Sequence, residues 1–194
     1  MTLLGLDIET TGLHTDCNLL TLYMGIVDKN YKIQDSLDLK LKPNPSLEER
    51  GSRAIYSIQP EAMTINKIDL YQHDLEALAY KDAKTMVYQW LQAMNQKYGE
   101  LTPFGNLVSQ DINKITDCVI SKPSWENFVD RRVIELSAIC KTLQLLRKIP
   151  ESQSLSLKKI AEYFGVYVDV TRLHTAEYDV LIGAEVLKCY TSLM

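Results

Sequence analysis

The chain has 194 residues, of which 46% are hydrophobic, and a formal net charge of −4; this length and apolar content predict a single domain over residues 1–194 with a sizeable buried core. An acidic chain has no positive surplus for binding long stretches of nucleic acid, so any such contact should be local, end-directed or assisted by metal ions. The four cysteines have no paired spacing, and no leader sequence or bilayer-spanning apolar run is found, which predicts a soluble, cytoplasmic protein with reduced thiols.

Three strands are predicted at the start of the chain, over residues 3–9, 18–27 and 32–42, with a turn at residues 28–30. In the third of them, alternate residues from Ile33 to Leu41 fall on one face, which is typical of a half-buried strand. These strands are expected to form an antiparallel meander. Pro43 ends the meander, and a polar connection to about Ile58 follows it.

Helices dominate the rest of the chain. They are predicted over residues 60–67, 83–98, 156–164 and 176–190 and from about residue 111, with further strands over residues 101–108 and 133–139. The helix at residues 83–98 carries apolar side chains at three- and four-residue steps. Met86 and Trp90 belong to this stripe, which indicates a core-facing surface rather than a cofactor site. The order of elements predicts a mixed α/β fold with helices packed on a sheet.

Asp7 and Glu9 interrupt the apolar first strand. Residues two apart on a strand point the same way, so both carboxylates project together from its carboxyl end, just before the turn that starts at Thr10. Two ionised carboxylates this close in a partly buried site repel each other unless one is protonated or a cation lies between them. Oxygen ligands of this kind suit Mg²⁺ or Mn²⁺. The alternative is a solvated strand edge with two surface acids.

Three more chemically capable residues lie near the ends of predicted elements. Asp111 follows a strand and begins a helix, where it either caps the helix or turns into the same cleft. His174 comes just before the last helix and Asp179 lies in its first turns, with Thr175 as the helix cap. Alone, His174 is typical of a surface residue. Together with the two acids of the first strand, the set favours a common site.

The segments DIETTGL, GNLVSQD and HTAEYD resemble, in this order and at these separations, the three exonuclease motifs of the DEDDh family. These are the DnaQ-like 3'→5' exonucleases of the ribonuclease H-like superfamily. The resemblance spans the chain nearly end to end and implies a single exonuclease domain. Its fold would be a mixed central sheet, an antiparallel three-strand meander plus parallel strands, flanked by helices. The middle motif departs from the family pattern, because Asn106, Leu107 and Gln110 replace the usual His, Asn and Phe.

The resemblance implies hydrolysis of phosphodiester bonds at the 3' ends of single-stranded DNA or RNA, with DNA slightly favoured, and release of nucleoside 5'-monophosphates. Two Mg²⁺ or Mn²⁺ ions about 4 Å apart would take part. Asp7 would bridge both ions, Glu9 and Asp179 would complete one site, and Asp111 would hold the second ion. His174 would be the general base, since histidine titrates near neutral pH.

Substrate contacts and partners are also implied by the resemblance. Thr10, Gly12 and Leu13 would contact the terminal nucleotide, with Leu13 wedged against the last base. The partner would be a single-stranded 3' end, and a proofreading role would need a polymerase or other nucleic-acid-processing protein. Dimers occur among relatives, which makes a homodimer one expected arrangement. The basic pairs at residues 131–132 and 158–159 are assigned to solvated surface.

A different class of function is a catalytically silent module that keeps the fold and serves as a scaffold in a nucleic-acid-processing complex. All five expected catalytic positions are filled by competent residues, which favours the enzyme. Loss of 3' nucleotides from labelled single strands with Mg²⁺ or Mn²⁺, but not with a chelator, would separate the two hypotheses.

Overall fold

A computed structural model describes residues 1–42 and 56–193, so most of the predicted polar connection after Pro43 lies outside the described residues. The strands are β1 (Thr2–Thr10), β2 (Leu19–Val27), β3 (Ile33–Lys40), β4 (Leu101–Gly105) and β5 (Ile134–Glu135). They form one sheet in the order β3-β2-β1-β4-β5. β1, β2 and β3 pair antiparallel, as predicted, whereas β4 and β5 run parallel to β1. The predicted mixed sheet is confirmed.

Helices cover both faces of this sheet. Within the described residues they are α1 (Pro60–Asn66), α2 (Leu70–Glu76), α3 (Tyr80–Tyr98), α4 (Val108–Cys118), α5 (Lys122–Glu126), α6 (Leu136–Leu145), α7 (Leu157–Tyr163) and α8 (Ala176–Thr191). On one face, Leu4 and Leu6 of β1 belong to a buried cluster with residues of α3 and α4. On the other face, α6, α7 and α8 form a second cluster, which includes Phe104 of β4.

The close approach of α8 to β1 depends on Gly5. A Cβ atom at Gly5 would lie 2.6 Å from Cγ1 of Val180 on α8. Because side chains alternate along a strand, Asp7 and Glu9 project from the same face of β1 as Gly5. Both acids therefore point toward the side of the sheet that α8 covers.

The prediction of a strand over residues 133–139 is wrong beyond its first residues. β5 has only two residues, and helix α6 begins immediately after it at Leu136. Leu136, Cys140 and Leu143 are buried on one face of that helix, a spacing that a short apolar window does not separate from a strand. Likewise β4 is shorter than predicted, since it ends at Gly105, and α4 begins three residues before Asp111.

The apolar stripe of α3 faces the core along Ala83, Val87 and Leu91, which are fully buried. Trp90 packs partly against the same cluster. The assignment of Met86 to the core is wrong, because its exposed fraction is 39%. Met86 precedes Val87 by one position, about 100° around the helix, and so lies at the margin of the buried face.

Two short helices, α2 and α5, were not predicted. The side chain of Asp69 accepts the backbone N–H groups of Tyr71 and Gln72 and caps α2, so a capping signal was present in a segment too short to show a periodic stripe. The four cysteines are free thiols. Within residues 1–42 and 56–193, the longest and most apolar helices still fall short of what crossing a membrane requires.

Candidate active site

Four acids from three elements meet beside the carboxyl end of β1. Asp7 and Glu9 belong to β1 itself, Asp111 lies in the first turn of α4, and Asp179 lies in the first turn of α8. The negative charges of Asp111, Asp179 and Glu9 all act on Asp7. Residues separated by more than 170 positions thus form one acidic cluster, as the combined motifs predicted.

Burial and mutual repulsion raise the pKa values of these acids above their ordinary range. Burial, followed by the charges of Asp111, Asp179 and Glu9, raises the pKa of Asp7 well above its usual range. Burial and the charges of Asp179 and Asp111 raise the pKa of Glu9 to about 8, partly offset by a hydrogen bond with Asn66. Burial and the charge of Glu135 raise the pKa of Asp111 to about 8. Such shifts mean that the ionised forms lack a compensating positive charge.

A divalent cation fits the residues present. Glu9, His174 and Asp179 each offer one ligand atom, and these atoms lie within 4.8 Å of one another. The Oδ1 atom of Asp179 is buried and accepts no hydrogen bond from the residues that the structure describes. A buried carboxylate oxygen without a partner is costly, and a cation would satisfy it. A donor set of carboxylate oxygens suits Mg²⁺ or Mn²⁺.

His174 lies at the open side of this cluster. Its side chain is exposed, its backbone is left-handed with φ of 62°, and it lies two residues before the start of α8. Burial raises the pKa of Asp179, while the His174 charge and a backbone hydrogen bond from His174 lower it in part. The imidazole is therefore close enough to act electrostatically on an acid of the cluster.

Two expected helix caps differ from the sequence prediction. Thr175 is the N-cap residue of α8, but its hydroxyl donates to the carbonyl of Arg172 at 2.8 Å instead of accepting a helix N–H. The N-cap of α4 is Leu107, so Asp111 does not cap that helix. Of the two alternatives for Asp111, the structure supports the one that turns its side chain toward the acids of β1.

A cleft of about 670 Å³ opens beside the acids. Glu9 and Asp111 line it together with Thr10, Gly12 and Leu13, the three residues expected to contact the terminal nucleotide. The exposed fraction of Leu13 is 92%, so its apolar side chain is available for contact. Helix α1 forms part of the cleft wall.

Sequence reasoning missed the residues that build the cleft wall. Gln59 accepts the backbone N–H of Leu13 with its Oε1 atom, and its own N–H donates to the carbonyl of Thr11 at 2.8 Å. The Nδ2 atom of Asn66 donates to the carbonyl of Thr10 at 3.0 Å. These contacts depend on how α1 packs on the end of β1, so no local sequence pattern predicts them.

Glu135 was also missed, although a signal existed. It ends a short apolar strand, as Glu9 nearly ends β1, and parallel strands bring such ends to one edge of a sheet. Both of its carboxylate oxygens accept backbone N–H groups at the start of α4. Its negative charge contributes to the raised pKa of Asp111.

Several solved structures share this fold, whereas no family model and no curated protein sequence matches the chain. Exonuclease I of Methylocaldum szegediense is 17% identical, with a TM-score of 0.74, over 98% of this chain and 40% of that one. The zinc-bound complex of E. coli exonuclease I with single-stranded DNA is 16% identical, with a TM-score of 0.74, over 98% and 40%. Cell-death related nuclease 4 is 19% identical, with a TM-score of 0.70, over 99% and 64%.

The chain thus spans about 40% of the exonuclease I chains that it matches. At these identities the likeness concerns the fold, and the resemblance inferred from the three motifs is confirmed at that level. The chain has the fold of these nuclease structures, a ribonuclease H-like mixed sheet flanked by helices.

Proposed function

We propose that this protein is a metal-dependent 3'→5' exonuclease that removes nucleotides from single-stranded ends, with DNA as the preferred substrate. The observation that carries the proposal is the convergence of Asp7, Glu9, Asp111 and Asp179, with His174 at the open side. A fold has no structural need for four mutually repelling acids in a partly buried place. Clusters of strongly shifted carboxyl groups beside a cleft are typical of functional sites.

Divalent metal ions explain why the acids are retained. Asp7, Glu9, Asp111 and Asp179 would hold two Mg²⁺ or Mn²⁺ ions, and the unpartnered Oδ1 of Asp179 is one available ligand atom. Bound ions of this kind activate water, polarise the scissile phosphate and neutralise charge on the leaving oxygen. The zinc-bound state of E. coli exonuclease I supports the use of a divalent metal by this fold.

Side chains of this protein would supply the proton transfer that hydrolysis also needs. His174 accepts the proton of the attacking water as a general base. The water oxygen forms a bond to phosphorus, the bond from phosphorus to the 3' oxygen of the preceding nucleotide breaks, and that oxygen takes up a proton. The products are a nucleoside 5'-monophosphate and a strand shortened by one residue with a new 3' hydroxyl.

The cleft supports a single-stranded end as substrate. Thr10, Gly12 and Leu13 line it next to Glu9, so a terminal nucleotide bound there would have its phosphate near the acids. Leu13 would pack against the last base with its exposed side chain. Complexes of E. coli exonuclease I with dT13 show that this fold accepts a single DNA strand in that protein.

The proposal is tested with single-stranded DNA and RNA of matched sequence, labelled at the 5' end, in Mg²⁺, Mn²⁺ or a chelator. We expect a ladder of products shortened from the 3' end that requires the metal, formed faster from DNA than from RNA. Asp7→Ala should abolish the ladder while the circular dichroism spectrum stays native. Asp82→Ala, an exposed acid on α3, is the matched control and should degrade the strands normally.

The outcome that would contradict the proposal is equally direct. Strands that remain intact with both metals and both nucleic acids would show that the protein does not act as this nuclease. Binding of the intact strands under those conditions would instead favour a nucleic-acid-binding module.

A further inference from the structure

Glu135 lies beside the acidic cluster but has no part in the proposed chemistry. It is the last residue of β5 and lies in parallel register opposite Gly105, the last residue of β4. Both strands end at the same edge of the sheet as β1. Its Oε1 atom accepts the backbone N–H of Leu107, and its Oε2 atom accepts the N–H of Ser109 at 3.5 Å.

The start of α4 needs such an acceptor. The first N–H groups of any helix lack partners within the helix. Leu107, the N-cap residue, offers no side-chain cap and has a left-handed backbone with φ of 63°, a conformation uncommon for residues other than glycine. The hydroxyl of Ser137 donates to Oε1 of Glu135 at 3.3 Å and helps to fix the carboxylate.

The turn that Glu135 holds is the one that presents Asp111. Asp111 lies two residues after Ser109, in the same first helical turn. Gly105, two residues before the N-cap Leu107, lies against β1, since a Cβ atom there would lie 2.9 Å from the carbonyl oxygen of Leu6. Leu6 directly precedes Asp7, so this turn sets how Asp111 and Asp7 face each other.

A neutral acceptor would satisfy the same N–H groups, yet the chain places a carboxylate here. That carboxylate acts on Asp111 through its charge. It therefore adds to the negative potential that a cation at Asp111 experiences, in addition to holding the turn. Both effects favour an ion at Asp111.

We infer that Glu135 is a positioning residue: by accepting the N–H groups of Leu107 and Ser109, it fixes the first turn of α4 so that Asp111 can bind a divalent ion. The inference rests on the proposed function, because it requires Asp111 to be a metal ligand. Residues that orient a ligand in this way usually change metal affinity or activity about 10- to 100-fold when removed.

Calorimetric titration with Mn²⁺, in the absence of nucleic acid, tests the inference on the wild type, Glu135→Ala and Glu135→Gln. Alanine removes both acceptors, and we expect the Mn²⁺ affinity of the site that includes Asp111 to fall about 100-fold. Glutamine keeps one carbonyl oxygen for Leu107 but loses the charge, so a fall of about tenfold is expected. Leu91→Ala makes a cavity on α3, which contributes no site residue, and should lower Tm without changing the affinity.

Kinetics supply an independent measurement. In Glu135→Ala, kcat should fall at low Mn²⁺ and recover as Mn²⁺ is raised, while KM for the oligonucleotide stays unchanged. A purely structural role predicts a lower Tm without this recovery. Unchanged Mn²⁺ affinity in the folded Glu135→Gln protein would overturn the inference even if the alanine variant does not fold. A wild type that binds Mn²⁺ but degrades no strand would defeat the proposed function, while the calorimetric comparison would still test Glu135.

Discussion

Burial and the charges of neighbouring acids both oppose ionisation of Asp7. It lies on the central strand of the sheet, and the charges of three other acids raise its pKa in addition to burial. The neutral or metal-bound form removes this conflict, whereas the free anion does not. Asp7 therefore binds a proton or a cation more strongly than an exposed aspartate does.

His174 differs from the acids because it is exposed and lies on the solvent side of the cluster. For a general base, His174→Ala should lower kcat about 10²- to 10⁴-fold and leave Mn²⁺ affinity unchanged. His174→Gln keeps a polar side chain that accepts no proton at neutral pH, so its kcat should fall equally. Both are measured by single-turnover kinetics and by calorimetric Mn²⁺ titration.

The same experiment distinguishes a second role for His174. Its ligand atom lies within 4.8 Å of those of Glu9 and Asp179, which is also compatible with direct binding of an ion. A parallel loss of Mn²⁺ affinity and turnover in His174→Ala would show that His174 is a ligand and would remove the general-base assignment.

At the scale of elements, the turn after β1 joins the cleft wall to the strand. A Cβ atom at Gly12 would lie 2.6 Å from Cγ of Gln59 and 2.7 Å from Sγ of Cys17. Gly12→Ala should displace Gln59, release the N–H of Leu13 and lower the free energy of unfolding by about 1–3 kcal/mol. We expect KM for the oligonucleotide to rise more than kcat falls, because in the proposed function the wall would contact substrate, and the substitution does not alter the acids.

A matched glycine controls for backbone strain. Gly12 and Gly99 both have a positive φ, at 156° and 79°. A Cβ atom at Gly99, however, would meet nothing within 4 Å. Gly99→Ala should therefore lower stability without changing KM. An increase of KM in both variants would mean that the Gln59 contact does not shape the cleft.

The contact between β1 and α8 decides whether Asp179 reaches the acids of the strand. Gly5→Ala places a methyl group 2.6 Å from Cγ1 of Val180, the residue after Asp179. The helix must then shift away, so we expect weaker Mn²⁺ binding and a loss of about 1–3 kcal/mol in the free energy of unfolding. Chemical denaturation and Mn²⁺ titration measure the two effects.

The double variant Gly5→Ala/Val180→Ala tests the cause. Removing the two methyl groups of Val180 relieves the 2.6 Å contact, whereas the ring of Phe104 still lies 3.0 Å from the new methyl group, so Mn²⁺ affinity should recover in part in the double variant. Coupling of this kind is expected only for residues in contact. Additive losses in the double variant would show that the close approach of α8 does not control the site.

Elements with long, regular patterns were predictable from sequence, and short ones were not. The alternation of Ile33, Leu37 and Leu39 predicted β3 correctly, because one face of that strand is packed and the other is exposed. β5 has two residues, too few for any period, and its pairing with β4 depends on tertiary contacts. The apolar run that follows it was assigned to a strand, but it is the buried face of α6.

Some residues of the site were likewise predictable from the sequence, and others were not. The five motif residues were predicted because their spacing along the chain resembles a family pattern, and the structure brings them to one place. Gln59 and Asn66 were missed because they act through contacts with backbone more than 40 positions away. Sequence patterns report residue types that chemistry requires, whereas supporting residues are defined by the folded backbone around them.

For the whole molecule, the cluster links segments from the start, the middle and the end of the chain. Gathering like charges from β1, α4 and α8 opposes folding, and hydrophobic burial on both faces of the sheet overcomes that repulsion. A bound cation reverses the electrostatic contribution. Metal binding should therefore stabilise the entire fold, by about 2.7 kcal/mol when the free metal concentration is 100 times its Kd.

This coupling gives a pH dependence whose sign is fixed. The folded-state pKa values of Glu9 and Asp111 are raised from their ordinary 4.5 and 3.8 to about 8. At pH values between the ordinary and the raised pKa of each acid, the folded protein keeps a proton that the unfolded chain has released. In a chelator, the free energy of unfolding should therefore fall as pH rises through this range. The slope is up to about 1.4 kcal/mol per pH unit for each retained proton. Saturating Mn²⁺ should flatten the slope, because bound acids hold no proton, and Asp111→Asn should reduce it without metal. Urea unfolding across this pH range measures the slope of the free energy of unfolding against pH. Equal slopes with chelator and with Mn²⁺ would mean that these acids do not bind the ion.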